Sequence, residues 1–270
     1  GLELSKDGNK LLAISDRGYW LKADIVYKDK KLFSLINSQI APILNAKGKK
    51  FVHWKADSEG LAKRNDSLDD VVISVERDQA IYRFKFKNGK LNARAKELTV
   101  LANQEDFPTN RGLEGVTSLP ANHNYRGWLL TIAEKKLDEN GNHSAWLVNG
   151  DKNLSLKIKR VDDFSITDVN YLPNGDIVIL ERALSILRGP QVQIRQFCGR
   201  DIKPGALVTG EVLLNRNWVY AVDNMEGLAV HKSADDETIL TLVSDNNFHF
   251  MQRNLMLQFA LANDKSVCKG

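Results

Sequence analysis

Short runs in which apolar and polar residues alternate, each closed by a tight turn, recur along the whole chain. Ile81-Tyr82-Arg83-Phe84-Lys85-Phe86 is the clearest, with the period of two expected of a strand that buries one face. The turns carry residues suited to reversing a chain abruptly: Asp7-Gly8, Asn88-Gly89 and Asn174-Gly175 each sit between two apolar runs. Helical periodicity is weak throughout, and residues 33–44 come nearest to it. The pattern predicts an all-β protein.

The predicted strands group into related units. The first holds four runs within residues 2–40. The second opens at Asp57-Ser58-Glu59-Gly60-Leu61-Ala62, and the third at Gly112-Leu113-Glu114-Gly115-Val116. The fourth opens at Thr167-Asp168-Val169, without the Glu-Gly pair, and takes later strands from residues 191–197 and 206–214. The fifth pairs Met225-Glu226-Gly227-Leu228-Ala229-Val230 with Ile239-Leu240-Thr241-Leu242-Val243-Ser244-Asp245, then adds a strand at 255–261. Acids close a strand in every unit, at Asp16, Glu76, Glu134, Glu181 and Asp245, spaced by roughly 50 to 60 residues.

Four-stranded units repeating on that scale predict a β-propeller, because no single sheet could bury both of its faces. Five antiparallel blades are visible, with room for a sixth, in one domain spanning residues 1–270. The last unit shows only three strands, so an N-terminal strand is expected to close the ring.

Hairpin symmetry then places the chemistry. Glu59 and Glu76 flank one turn, Glu114 and Glu134 the next, Asp168 and Glu181 the third, and Glu226 and Asp245 the fourth. Each hairpin should deliver two carboxylates to one edge of its sheet. With Asp16, up to nine acids would gather on one face of the disc. Like charges at close range need compensation. Arginines that directly follow acids (Arg17, Arg77, Arg182) could supply it. So could calcium, held by Glu59, Glu114, Glu226, Asp245 and the neutral oxygen of Asn246. Repeated Glu-Arg pairs could equally be inter-blade salt bridges, with the polar residues tying loops to neighbouring strands.

Composition narrows the partners. The chain of 270 residues is 43% apolar and 27% charged, ordinary for a protein with a sizeable core. A net charge of +4, spread over scattered lysines and arginines, argues against a nucleic-acid partner. No apolar run is long enough to span a membrane. The chain lacks an initiator Met and starts inside a strand-like unit, as expected of a processed or truncated chain. Cys198 and Cys268 could form a disulfide or remain free thiols. The five histidines share no metal or triad spacing, and His249 is the only one beside the predicted acids. No Gly-x-Ser-x-Gly nucleophile elbow and no phosphate-binding glycine loop is present.

Several of these motifs coincide with those of a known family. They are Ser15-Asp16-Arg17-Gly18, the Glu-Gly-Leu-Ala that starts at Glu59 and again at Glu226, and Glu114-Gly115-Val116. Leu180-Glu181-Arg182 and Val243-Ser244-Asp245-Asn246-Asn247-Phe248 match as well. From residue 1 to about residue 261 the chain resembles the bacterial phytase-like family, described as having the esterase-like activity of phytase. That resemblance implies a β-propeller, usually exported to the periplasm or secreted, whose repeated Glu and Asp carry a phosphoesterase-type activity.

On this reading Glu59, Glu114, Glu226 and Asp245 are the candidate catalytic residues. Arg17, Arg77, Arg182, Asn247 and His249 would hold an anionic or ester-bearing small molecule. A non-catalytic propeller that binds a ligand or a protein, and a calcium-dependent lactonase, are the rival readings on the same architecture.

Overall fold

A computed structural model describes residues 1–51, 57–76, 78–101, 112–185, 189–217, 222–246, 252–262 and 265–268, except for the side chains of residues 100, 135 and 185. Among the described residues, twenty strands form five sheets. Blade I contains β1 (Leu2–Leu4), β2 (Lys10–Ser15), β3 (Tyr19–Lys28) and β4 (Lys31–Pro42). Blade II contains β5 (Ser58–Arg64), β6 (Ser67–Val75), β7 (Ala80–Lys85) and β8 (Lys96–Val100). Blade III contains β9 (Leu113–Ser118), β10 (Leu129–Leu137), β11 (His143–Asn149) and β12 (Lys152–Ile158). Blade IV contains β13 (Ser165–Tyr171), β14 (Ile177–Ser185), β15 (Gly189–Phe197) and β17 (Glu211–Asn217), and β16 (Leu207–Val208) precedes the last of these. Blade V contains β18 (Met225–Lys232), β19 (Thr238–Ser244) and β20 (Met256–Ala260).

Within each blade the strands pair in chain order and antiparallel. The first strands, β1, β5, β9, β13 and β18, touch one another in a closed ring around the axis. Five apolar clusters fill the five seams between blades. Trp20, Phe84 and Leu61 fill the seam of blades I and II, and Val72, Leu113 and Val116 that of II and III. Ile132, Ile177 and Phe197 fill the third seam, and Val178, Leu228 and Leu242 the fourth. Leu2, Leu4, Ile25 and Ala229 fill the seam of V and I. A sheet with two apolar faces is stable only when both are covered, and the ring covers all of them.

The predicted all-β propeller is therefore present, with five blades. Two details, in blades IV and V, differ from expectation. Residues 33–44, which came closest to helical spacing, lie mostly in β4, the fourth strand expected of the first unit. As an edge strand it is largely exposed, so it lacks the strict alternation of a half-buried one. The stretch 206–214 divides between two sheets: β16 adds parallel to β12 in blade III, and only β17 joins blade IV. Gly210 lies between them, where a Cβ would stand 2.7 Å from the Phe197 ring. Finally, no N-terminal strand completes blade V among the described residues. β1 pairs with β2, and the ring closes by packing of blade I on blade V, with an ion pair of 2.6 Å between Lys30 and Asp235.

Cys198 and Cys268 form a disulfide across a sequence separation of 70 residues. It fastens the C-terminal segment to blade IV, where Asp176 also accepts bonds from the Ser266 hydroxyl and the Val267 N–H, each at 2.8 Å. Among the described residues no helix is long and apolar enough to cross a membrane.

Candidate functional site

The Glu-Gly pairs acquire a physical reason in the innermost strands. Opposite the second strand, each of β5, β9, β13 and β18 carries one extra residue. Ser58 and Leu61 face Val75 and Ile73, Leu113 and Val116 face Ala133 and Thr131, and Met225 and Gly227 face Ser244 and Val243. Such a bulge kinks a strand and re-aims the side chain it carries. Here the bulges fall at Glu59, Glu114 and Glu226.

Glycine follows each of these acids because the neighbouring blade is too close for a side chain. A Cβ on Gly60 would lie 2.4 Å from the Glu114 carbonyl oxygen, and one on Gly115 would lie 2.9 Å from the Val169 nitrogen. Hydroxyls brace the turn of the strand: Ser74 accepts the Gly60 N–H at 2.8 Å and donates to the Glu114 carbonyl at 2.5 Å, while Thr131 donates to the Gly115 carbonyl at 3.0 Å.

The second acid of each hairpin arrives at the end of the second strand. The Glu76, Glu134 and Asp245 N–H groups bond the carbonyls of Asp57, Gly112 and Asn224, at 2.9, 3.1 and 3.0 Å. Eight carboxylates consequently face one another at this mouth of the channel: Asp16, Asp57, Glu59, Glu76, Glu114, Glu134, Glu226 and Asp245. Asp57, Glu59 and Glu76 are the tightest group, each offering an oxygen within 4.8 Å of the others.

The electrostatics follow from that crowding. Burial, then the charge of Glu226, raises Glu59 well above the usual carboxylate range. Burial and the charges of Glu59, Glu134 and Glu76 do the same to Glu114. Glu76 is pushed up to about 7 by burial and by Asp57, although its Oε1 accepts the Gly112 N–H at 2.9 Å. Burial raises Glu226 and Asp16 as well, with Asp245 contributing to both.

Among the described residues, Arg182 is the arginine built into this ring. It donates to Glu226 and to the Asn224 side chain, and its Nη2 lies 3.9 Å from Glu134. Arg17 follows Asp16 and lowers its pKa, against the effect of burial.

Blade IV departs from the pattern and corrects the expected nine-acid symmetry. Its bulge falls between Ile166 and Asp168, which face Glu181 and Leu180, so Asp168 occupies the place of the glycine and Thr167 that of the acid. Its hydroxyl donates 3.2 Å to the Met225 carbonyl of the next blade. Asp168 does not reach the mouth. It is buried among strand backbones, accepting the Val169 and Leu228 N–H groups at 2.8 Å, and burial pushes it up to about 7. Glu181 turns away into the blade, where Arg195 holds it with two bonds of 2.7 and 2.5 Å. Its neighbour Arg182 faces the ring instead.

Of the residues expected at a site, Glu59, Glu114, Glu226 and Asp245 do converge, with Arg182 among them and Arg17 beside Asp16. Asn246 follows Asp245 at the end of β19 and is half-buried. Arg77, Asn247 and His249 lie outside the described residues. Asp57 was missed, although its position two residues before Glu59 on an extended segment was the signal that both share a face. The group of Asp176, Cys198 and Cys268 is no metal site, because the two sulfurs are bonded to each other.

No curated protein matches the chain significantly. Solved structures similar to it include the Dos1 propeller, at 12% identity and a TM-score of 0.40, with 90% of this chain and 51% of that one covered. This chain therefore spans about half of that protein. A Bacteroides uniformis protein described as a candidate 6-phosphogluconolactonase is similar at 12% identity and a TM-score of 0.44, covering 99% and 86%. A Thermus thermophilus protein described as a candidate oxidoreductase (glucose dehydrogenase) is similar at 12% identity and 0.43, covering 96% and 95%. A family model matches residues 1–248, most of the chain and every blade's first strand, and the chain belongs to that family: phytase-like, esterase-like activity of phytase.

Proposed function

We propose that the chain is a hydrolase of phosphoester or other ester substrates, acting with calcium at the acidic mouth. The convergence of Asp57, Glu59 and Glu76 on one small volume carries this reading. Three hard anionic oxygens that close to one another, with Glu59 and Glu76 raised in pKa by burial and by neighbouring acids, suit an oxygen-seeking divalent cation. The donor set fits calcium, and Glu114, Glu226, Asp245 and Asn246 are at hand to complete it. Bound there, the cation would polarise the ester and lower the pKa of water.

The remaining roles belong to the chain itself. Glu114 stands beside Glu59 with its pKa raised, which suits it to take a proton from water and return it to the leaving oxygen. Arg182, kept charged by Glu226, Glu114 and Glu134, orients the carboxylates and meets the anionic part of a substrate. Arg17, exposed at the rim beside Asp16, provides a second cationic contact. The Cys198–Cys268 bond supports a periplasmic or secreted location, since disulfides persist in oxidising compartments.

The test is a panel of nitrophenyl phosphates, nitrophenyl carboxylic esters and lactones, assayed with calcium and with EDTA. Turnover of at least one class should require calcium and fall by about a hundredfold or more in Glu59→Gln. Turnover indifferent to both chelator and substitution would refute the proposal.

A further inference from the structure

The opposite end of the channel has the reverse charge. Here the innermost strands end and the first turn of each blade begins, and a cavity of about 560 Å³ opens among residues of all five blades. Its cations come from four different blades: Lys6 from I, Lys63 from II, Arg126 from III and Lys232 from V. Asp66 is the carboxylate of the lining, and its Oδ1 already accepts the Tyr171 hydroxyl at 2.5 Å.

Lys63 is the deepest of these cations. It is 4% exposed, and its Nζ is fixed by the Leu4 carbonyl at 3.1 Å and by Glu3 at 3.4 Å. Glu3 is itself buried and also reached by the Asn170 side chain. Lys232 is anchored through Asp236. Lys6 and Arg126 are exposed at the rim and have no ion-pair partner among the described residues. His231 lines the same cavity; burial and the charge of Lys63 lower its pKa to about 4, so it adds no further charge at neutral pH. Leu119, Val230 and the Tyr171 ring supply apolar wall.

We propose that this second mouth binds a small phosphate-bearing dianion. Cations converging from several blades suit a tetrahedral group, whose oxygens can be met from several directions at once, better than a lone carboxylate. The cavity is of ordinary small-molecule size, and its apolar wall can take an organic body attached to the phosphate. The site is separate from the acidic mouth and does not depend on the proposed hydrolysis.

The experiment is calorimetric titration with inorganic phosphate and with phenylphosphonate, a non-hydrolysable phosphate ester mimic, in EDTA at fixed ionic strength. Both should bind where chloride produces no heat, and phenylphosphonate should bind more tightly if the apolar wall is used. The Lys6→Ala/Arg126→Ala variant should lose about tenfold or more in affinity, because both charged partners are removed at exposed positions. Glu59→Gln, at the other mouth, should bind as the wild type does. Absence of binding by either probe, equal affinity in the double variant, or loss of binding in Glu59→Gln would overturn the proposal.

Discussion

Two buried groups of carboxylates in this molecule are built in opposite ways. Glu181, inside blade IV, is fully buried and fully answered: Arg195, also fully buried, grips both oxygens and Gln193 adds a third bond at 3.1 Å. At the mouth of the channel Glu76, Glu114 and Glu134 are nearly as buried, yet they face mainly each other, with Arg182 between blades III, IV and V. A buried charge is tolerable when it is paired and costly when it is not. Glu181 therefore reads as part of the scaffold. The mouth reads as a place where the fold accepts strain that a bound cation would relieve.

The two regions should respond differently to substitution. The largest effect is expected at the scaffold pair. Arg195→Met strands a buried carboxylate and should destabilise the protein by about 3–5 kcal/mol in denaturant unfolding, while any calcium response survives in the folded fraction. Next is the tether on the same blade: Cys198→Ser with Cys268→Ser should cost about 2–4 kcal/mol, given the long loop it closes. Smaller and opposite in sign is Glu114→Gln at the mouth. Removing one crowded, buried charge should stabilise the calcium-free protein at neutral pH, seen as a higher midpoint in denaturant unfolding. A loss of stability there would place Glu114 with the scaffold instead.

The pH dependence sharpens the contrast further. Glu76 goes from 4.5 to about 7 on folding and Asp168 from 3.8 to about 7, burial being the first cause of each. Between those values the folded chain holds more protons than the unfolded one, so stability falls as pH rises through roughly 4 to 7. Calcium should flatten the Glu76 share of that decline and leave the Asp168 share. A thermal-melting series from acid to neutral pH, with and without calcium, checks the sign. Melting temperatures that rise across this window without calcium would contradict it.

Much of this arrangement was legible in the chain, because hairpins are local. Asp7-Gly8 and Asn174-Gly175 announce turns, and acids placed evenly about the first turn of blades II, III and V do meet at one sheet edge. The register inside blade IV was not legible. Glu181 stands one residue earlier on its strand than Glu76, Glu134 and Asp245 do, so it turns into the blade while Arg182 takes the acids' place at the mouth, and nothing in Leu180-Glu181-Arg182 reveals it. Partners that meet across strands or blades were equally hidden: Arg195 for Glu181 and Lys63 for Glu3. The basic mouth escaped notice for the same reason, since its cations come from four blades and form no run in the sequence.

The central claim is that the crowded carboxylates form a cation site, and calcium binding to the wild-type protein near pH 7.5 tests it most directly. Calorimetric titration should show saturable binding, with a dissociation constant of about 10⁻⁴–10⁻³ M or tighter, and Glu59→Gln and Glu76→Gln should each abolish it while remaining folded. A wild type that takes up no calcium at millimolar concentration, or a Glu59→Gln variant that binds it unchanged, would contradict the account.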